Sequence, residues 1–262
     1  MFSVPQLTAR HALFLDFDGT LVDIAAQPDH VRLEAEVARD LQALQQALGG
    51  ALALVTGRAL ADIEPHLHPW QPALACEHGA HWREAGAAEL RCAPALALQP
   101  VVQALQDWAA QYPGLLVEPK RAGVALHYRQ APHLQALCHG TLQQLLEQVP
   151  DAELLTGKCV FEIKPAGSDK GRAVQRFLQA PPFAGRVPVF VGDDVTDEAA
   201  FAAVQAAGGI GIKVGTGDSQ AQARLASPDA VRAWLGDNAR RLQSPRLTAA
   251  SADRSSLAAP HP

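Results

Sequence analysis

No Cys-x-x-Cys pair occurs among the four cysteines, Cys76, Cys92, Cys138 and Cys159, which lie far apart along the 262-residue chain. That spacing argues against a zinc site and a disulfide framework, so free thiols in a reducing compartment are expected. A basic block is also missing, and the formal charge is −5, which leaves nothing to suggest a nucleic-acid partner. Apolar runs such as Ala51–Val55 are far too short to span a bilayer. The chain does not open on a basic stretch followed by a long apolar region. These absences lead to the expectation of a cytoplasmic protein without a membrane partner. With 48% apolar residues, the chain can bury one large core or two unequal ones.

The most informative segment is Asp16-Phe17-Asp18-Gly19-Thr20-Leu21-Val22-Asp23-Ile24-Ala25. It follows the apolar run Ala12–Leu15, which reads as a buried strand of a parallel sheet. Two carboxylates therefore emerge where a strand ends, at the sheet edge where open α/β folds bind ligands. Like charges two residues apart are costly unless a cation or substrate uses them. Mg²⁺ suits the pattern, since it takes oxygen ligands and keeps waters for a phosphate. Asp-Gly is also a common turn, so the motif needs support from elsewhere in the chain.

Strand-like and helix-like segments alternate at both ends of the chain. Ala51–Val55 and Ala73–Cys76 read as strands, Val31–Leu48 as a helix stopped by Gly49-Gly50, and a short helix is expected after Arg58. The middle differs. Pro100–Gln111 and His133–Val149 are helical, whereas Leu115–Pro119, Val124–Arg129, Glu153–Leu155 and Val160–Lys164 read as strands with a wetter face. Alternation resumes with a helix from Lys170 to Leu178, strand Val187–Val191, a helix from Asp197 and strand Ile210–Val214. The expectation is a three-layer α/β/α Rossmann-like core, residues 1–97 and 168–242, interrupted by an α+β insert, 98–167. Residues 243–262 read as a disordered tail. The glycine-rich run 208–217 lacks a P-loop ending and reads as a terminal strand with its turn.

Four pieces follow expected strands or open a helix: Asp16-x-Asp18, Thr56-Gly57-Arg58, Lys170, and Gly192-Asp193-Asp194-Val195-Thr196-Asp197-Glu198. Together they supply a nucleophilic carboxylate, a hydroxyl, an ammonium and further carboxylates, an inventory suited to phosphoryl transfer through an aspartyl-phosphate. These pieces resemble the four motifs of the haloacid dehalogenase superfamily. With Glu77-His78-Gly79, Ala125-Leu126-His127-Tyr128-Arg129 and Gly157–Pro165, the resemblance narrows to the bacterial trehalose-6-phosphate phosphatases and runs from about residue 11 to 236.

The resemblance implies that Asp16 attacks phosphorus and that Asp18 serves first as general acid, then as base. It implies that Thr56 and Lys170 hold the phosphoryl group, with Gly57 and Arg58 beside the substrate. It also implies Mg²⁺ on Asp16, the carbonyl of Asp18 and Asp193, with Asp194 or Asp197 as a further ligand. Glu118, Lys120, His127, Arg129, Glu162 and Lys164 lie on expected strands as i, i+2 pairs and are assigned to a disaccharide. His78 divides evenly between lining the cleft and simple packing. The expected activity is hydrolysis of trehalose 6-phosphate, the last step of trehalose biosynthesis, by a monomer. A phosphatase of another sugar phosphate is the nearer alternative. A non-enzymatic sensor would be expected to have lost a nucleophile or metal ligand, yet Asp16, Asp18, Thr56, Lys170 and Asp193 are all present.

Overall fold

The computed structural model of the protein describes residues 2–24, 31–87, 90–92 and 97–243. The tail expected to be disordered therefore lies, from residue 244 onward, outside the described residues. Strand β1 (His11–Leu15) is the centre of an eight-stranded sheet. Its order is β12 (Ala223–Leu225), β11 (Ile210–Val214), β10 (Val187–Gly192), β1, β2 (Leu52–Val55), β3 (Ala73–Cys76), β4 (His81–Arg83) and β5 (Arg91–Cys92). All pairings are parallel except those of β4 and β5.

Burial on both faces explains the continuous apolar runs of β1, β2 and β3. Phe14 stacks on Phe183 and neighbours Phe177 of α5 (Lys170–Leu178), so the equally buried Leu13 and Leu15 point to the opposite face. The chain leaves β1 for β2 through α1 (Ala35–Ala47), but leaves β10 for β11, in the other direction, through α6 (Glu198–Ala206). Right-handed crossovers then put α1 and α6 on opposite faces. α1 packs with α7 (Pro228–Gln243) and α5 with α6, which completes three layers.

A second, four-stranded antiparallel sheet has the order β6 (Leu116–Pro119), β7 (Val124–His127), β9 (Val160–Pro165), β8 (Ala152–Gly157). Helices α3 (Gln99–Ala109) and α4 (Gln135–Leu146) cover one face around their own apolar cluster, which includes Leu105, Leu126, Leu142 and Phe161. The remaining helix, α2 (Leu60–Leu67), follows β2.

Three sequence expectations are corrected. α1 begins at Ala35 rather than Val31, because Glu34 is extended at its N-cap, with φ −64° and ψ 141°. β11 does not end the sheet, since β12 pairs outside it. β7 stops at His127, so Arg129 lies beyond the strand, as Lys120 lies beyond β6. The four cysteines are free thiols, and among the described residues no helix is long and apolar enough to cross a membrane.

Candidate active site

The parallel register aligns three chemical groups. Leu15 pairs with Val191 on one side and Leu54 on the other, so Asp16, Asp193 and Thr56 all leave the sheet at its C-terminal edge. Asp16 is tied there by its N–H, which donates to Val191 O at 3.0 Å, while Thr56 N–H donates to Ala75 O at 2.9 Å. Lys170 enters from the first residue of α5, whose N-cap Asp169 accepts from Arg172 N–H at 2.8 Å.

Lys170 Nζ donates to Asp16 Oδ1 and to Asp197 Oδ1, each at 2.7 Å. All three side chains are buried. Asp16 is raised well above the ordinary carboxylate value, chiefly by burial, with Lys170 opposing and Asp197 and Asp193 adding to the rise. Burial works against the Lys170 ammonium, but Asp16 and Asp197 outweigh it and raise its pKa. Asp193 is pushed from 3.8 to about 6, first by burial and then by Asp197.

Carboxylate oxygens of Asp16, Asp193 and Asp197 lie within 4.8 Å of one another. Gly19 makes this approach possible: its φ is +74°, and a Cβ there would sit 2.2 Å from Asp193 Oδ2. A set of crowded carboxylate oxygens fits a hard divalent cation. Asp194, an expected ligand, stands outside this cluster. Its side chain accepts from Asp197 N–H and closes a capping box on the 3₁₀ turn Val195–Asp197, while Asp194 N–H donates to Asp197 Oδ2 at 2.9 Å. Asp197 takes the place in the cluster.

Asp18 is held by Arg58, whose Nε and Nη2 donate to its two oxygens at 2.7 Å each, a bidentate geometry. Arg58 also lies over the Phe17 ring. Thr20, to which sequence reasoning assigns no role, places its buried hydroxyl 3.5 Å from Asp16 Oδ2.

A cleft of about 670 Å³ opens above these groups. Its floor includes Asp16, Asp18, Thr56, Gly57, Arg58, Lys170, Asp193 and Asp194, while the second sheet contributes Glu118, His127 and Glu162 and the turns that follow its strands contribute Lys120 and Arg129. Lys120 Nζ donates to Glu162 Oε2 at 2.6 Å, and His78 Nε2 is 3.6 Å from the same oxygen. Burial alone would push Glu162 up, yet Lys120 and His78 hold it at about 2. His127 Nε2 is 2.6 Å from Glu118 Oε2. His78 thus belongs to the cleft, packed so closely on Gly57 that a Cβ there would lie 2.6 Å from its ring. Lys164 does not line the cleft. It bonds Glu153, its cross-strand partner on β8, and Ser168 O.

The trehalose-phosphatase family model matches residues 14–230. The chain belongs to the trehalose-phosphatase family. It is 44% identical to the trehalose-6-phosphate phosphatase of Escherichia coli (strain K12) over 234 residues, 88% of this chain and 87% of that protein. It is 41% identical to a probable trehalose-phosphate phosphatase of Sinorhizobium fredii, over 84% of each. Among solved structures, the C-terminal domain of the C. albicans trehalose-6-phosphate phosphatase superposes with a TM-score of 0.80, covering 89% of this chain and 93% of that one. At 23% identity that likeness speaks for the fold. Family membership and the strand-end groups agree on a phosphatase.

The acid cluster makes the metal-free protein pH-sensitive. A carboxyl whose pKa is raised on folding stabilises the fold while protonated. Its contribution is full below about 4 and is lost as pH climbs through about 6. In EDTA, Asp193→Asn should melt higher than wild type at pH 7.5 and level with it at pH 4. Equal melting temperatures at pH 7.5 would contradict the crowding.

Proposed function

We propose that this protein hydrolyses trehalose 6-phosphate to trehalose and inorganic phosphate, with the chemistry in the core and sugar choice in the insert. We take the insert as residues 98–167, between core segments 1–97 and 168–242. The observation that carries the reading is the pairing of a lysine-held aspartate on the cleft floor with the polar cluster Glu118, Lys120 and Glu162 above it.

An oxygen of Asp16 attacks phosphorus, the bond from phosphorus to the sugar oxygen breaks, and Asp18 gives that oxygen a proton. Water then attacks the aspartyl-phosphate, Asp18 takes its proton, and the bond from phosphorus to Asp16 breaks to release phosphate. Lys170 and Thr56 hold the phosphoryl oxygens, so the charge that develops meets donors already in position. Arg58 holds both oxygens of Asp18, and one of these bonds opens to free the oxygen that carries the proton. Asp16, Asp193 and Asp197 would hold a divalent ion such as Mg²⁺, with the carbonyl of Asp18. When bound, that ion offsets repulsion between anionic nucleophile and anionic phosphate.

The sugar meets Lys120 and Glu162, which are buried and already paired, and the half-buried pair His127 and Glu118. Glu162 Oε1 is buried and finds no partner in the protein, which suits a sugar hydroxyl. A wrong sugar would leave such groups unpaired, and sites of this kind discriminate strongly. Glu118, Lys120, His127, Arg129 and Glu162 form the sugar set. Lys164 is left out of it and braces the end of β9 against Glu153. Free thiols fit a reducing compartment such as the cytoplasm, where we take the protein to act as a monomer on a small-molecule ester.

Phosphate release from trehalose 6-phosphate, beside glucose 6-phosphate and sucrose 6-phosphate, tests the reading. Strong preference for the trehalose ester, lost in EDTA and restored by Mg²⁺, is the expected result. Metal-dependent preference for another ester would overturn the sugar assignment. Asp16→Asn should reduce turnover to background while its melting temperature stays near or above that of wild type, because the uncatalysed reaction is extremely slow. Appreciable activity in that variant would remove Asp16 as nucleophile.

A further inference from the structure

Glu77 and His78 follow β3 in left-handed backbone, with φ 46° and 55°. Side chains other than glycine persist there only where their surroundings hold them. The holding contacts come from the loop after β2. Glu77 N–H donates to Arg58 O and His78 N–H to Thr56 O, each at 3.0 Å. This conformation turns the Glu77 carboxylate away from the core and across to the insert. Oε1 accepts from Arg121 N–H at 3.2 Å and Oε2 from Ala122 N–H at 2.7 Å. Glu77 and Ala122 are each 3% exposed, so this charge meets two backbone donors in a dry seam.

Those two amides immediately follow Lys120. The turn they belong to is closed by Lys120 N–H donating to Gly123 O at 2.9 Å. Lys120 Nζ reaches Gly57 O at 3.0 Å as well as Glu162. One residue therefore ties three things together: its N–H holds the loop that carries Thr56, its carboxylate holds the turn that carries Lys120, and Lys120 in turn holds the buried acid Glu162. Glu77 itself does not line the cleft.

We propose that Glu77 is a positioning residue for sugar selection, docking the 120–122 turn onto the core so that the Lys120 ammonium stands fixed over the cleft. The proposal rests on the reading of Lys120 as a sugar-binding group. Charge-assisted bonds to two neighbouring amides set both distance and direction, and a lysine on its flexible stem needs that constraint to discriminate. Glutamine at this position keeps one acceptor but presents an NH₂ to the second amide.

Glu77→Gln should raise KM for trehalose 6-phosphate roughly tenfold, as loss of one charge-assisted hydrogen bond would. Its kcat, and its kcat/KM for p-nitrophenyl phosphate, should stay within about twofold of wild type. In a Lys120→Ala background, the same change should add nothing to KM for the disaccharide ester. Equal losses on both substrates, or a full Glu77→Gln effect without Lys120, would overturn the proposal and leave Glu77 a plain structural tie. A wild type that prefers trehalose 6-phosphate while Glu77→Gln leaves KM unchanged overturns this proposal alone. A wild type without that preference overturns the functional reading and this proposal with it. Should Glu77→Gln fail to fold, amide exchange in the wild-type protein decides. Slow exchange at Arg121 and Ala122 supports the docking, and rapid exchange at both refutes it.

Discussion

Three carboxylates and one ammonium share a largely buried site at the sheet edge, and the rest of the molecule is arranged around that crowding. Fully ionised, Asp16, Asp193 and Asp197 with Lys170 carry a net −2. Two unit charges 4 Å apart repel by about 4 kcal/mol at the effective dielectric of a partly buried site. The fold keeps the carboxylates together because parallel strands β1 and β10 end in register and because Gly19 leaves room for Asp193. Crowding of this kind suits a divalent cation.

The same economy governs the insert. Burial works against the Glu162 carboxylate, and the Lys120 ammonium 2.6 Å away is the main group that keeps it ionised. Breaking such a pair is costly, since the survivor is left as an uncompensated charge. Two sheets with separate apolar clusters thus meet at a polar seam, where Lys120 and Glu77 supply hydrogen bonds that join the halves of the protein.

Much of this was legible in sequence because chemistry begins where apolar runs stop. Asp16, Thr56 and Asp193 each follow a run buried on both faces, and the abrupt change of residue type marks the strand end. Short or polar elements gave no such signal. β4, β5 and β12 are two or three residues long, too short for a period to emerge. The apolar face of α7, Val231, Leu235 and Ala239, carries a legible spacing of four. Asp194 and Asp197 lie three residues apart, and only the capping box on their 3₁₀ turn decides which joins the cluster. Period two assigned Lys164 to the face of Glu162, but its cross-strand neighbour Glu153 claims it. The Glu77 contact spans 44 residues and more, and no local pattern announces it.

The central claim is a division of labour: the core breaks the ester and the insert reads the sugar. It is tested most directly by the ratio of kcat/KM for trehalose 6-phosphate to that for p-nitrophenyl phosphate in Glu162→Gln, measured against wild type. The account predicts that the ratio falls by roughly a hundredfold, as expected when a buried hydrogen-bonded charge loses its partner in substrate recognition, with most of the aryl phosphatase activity retained. A ratio equal to that of wild type, with both activities lowered together, would contradict it.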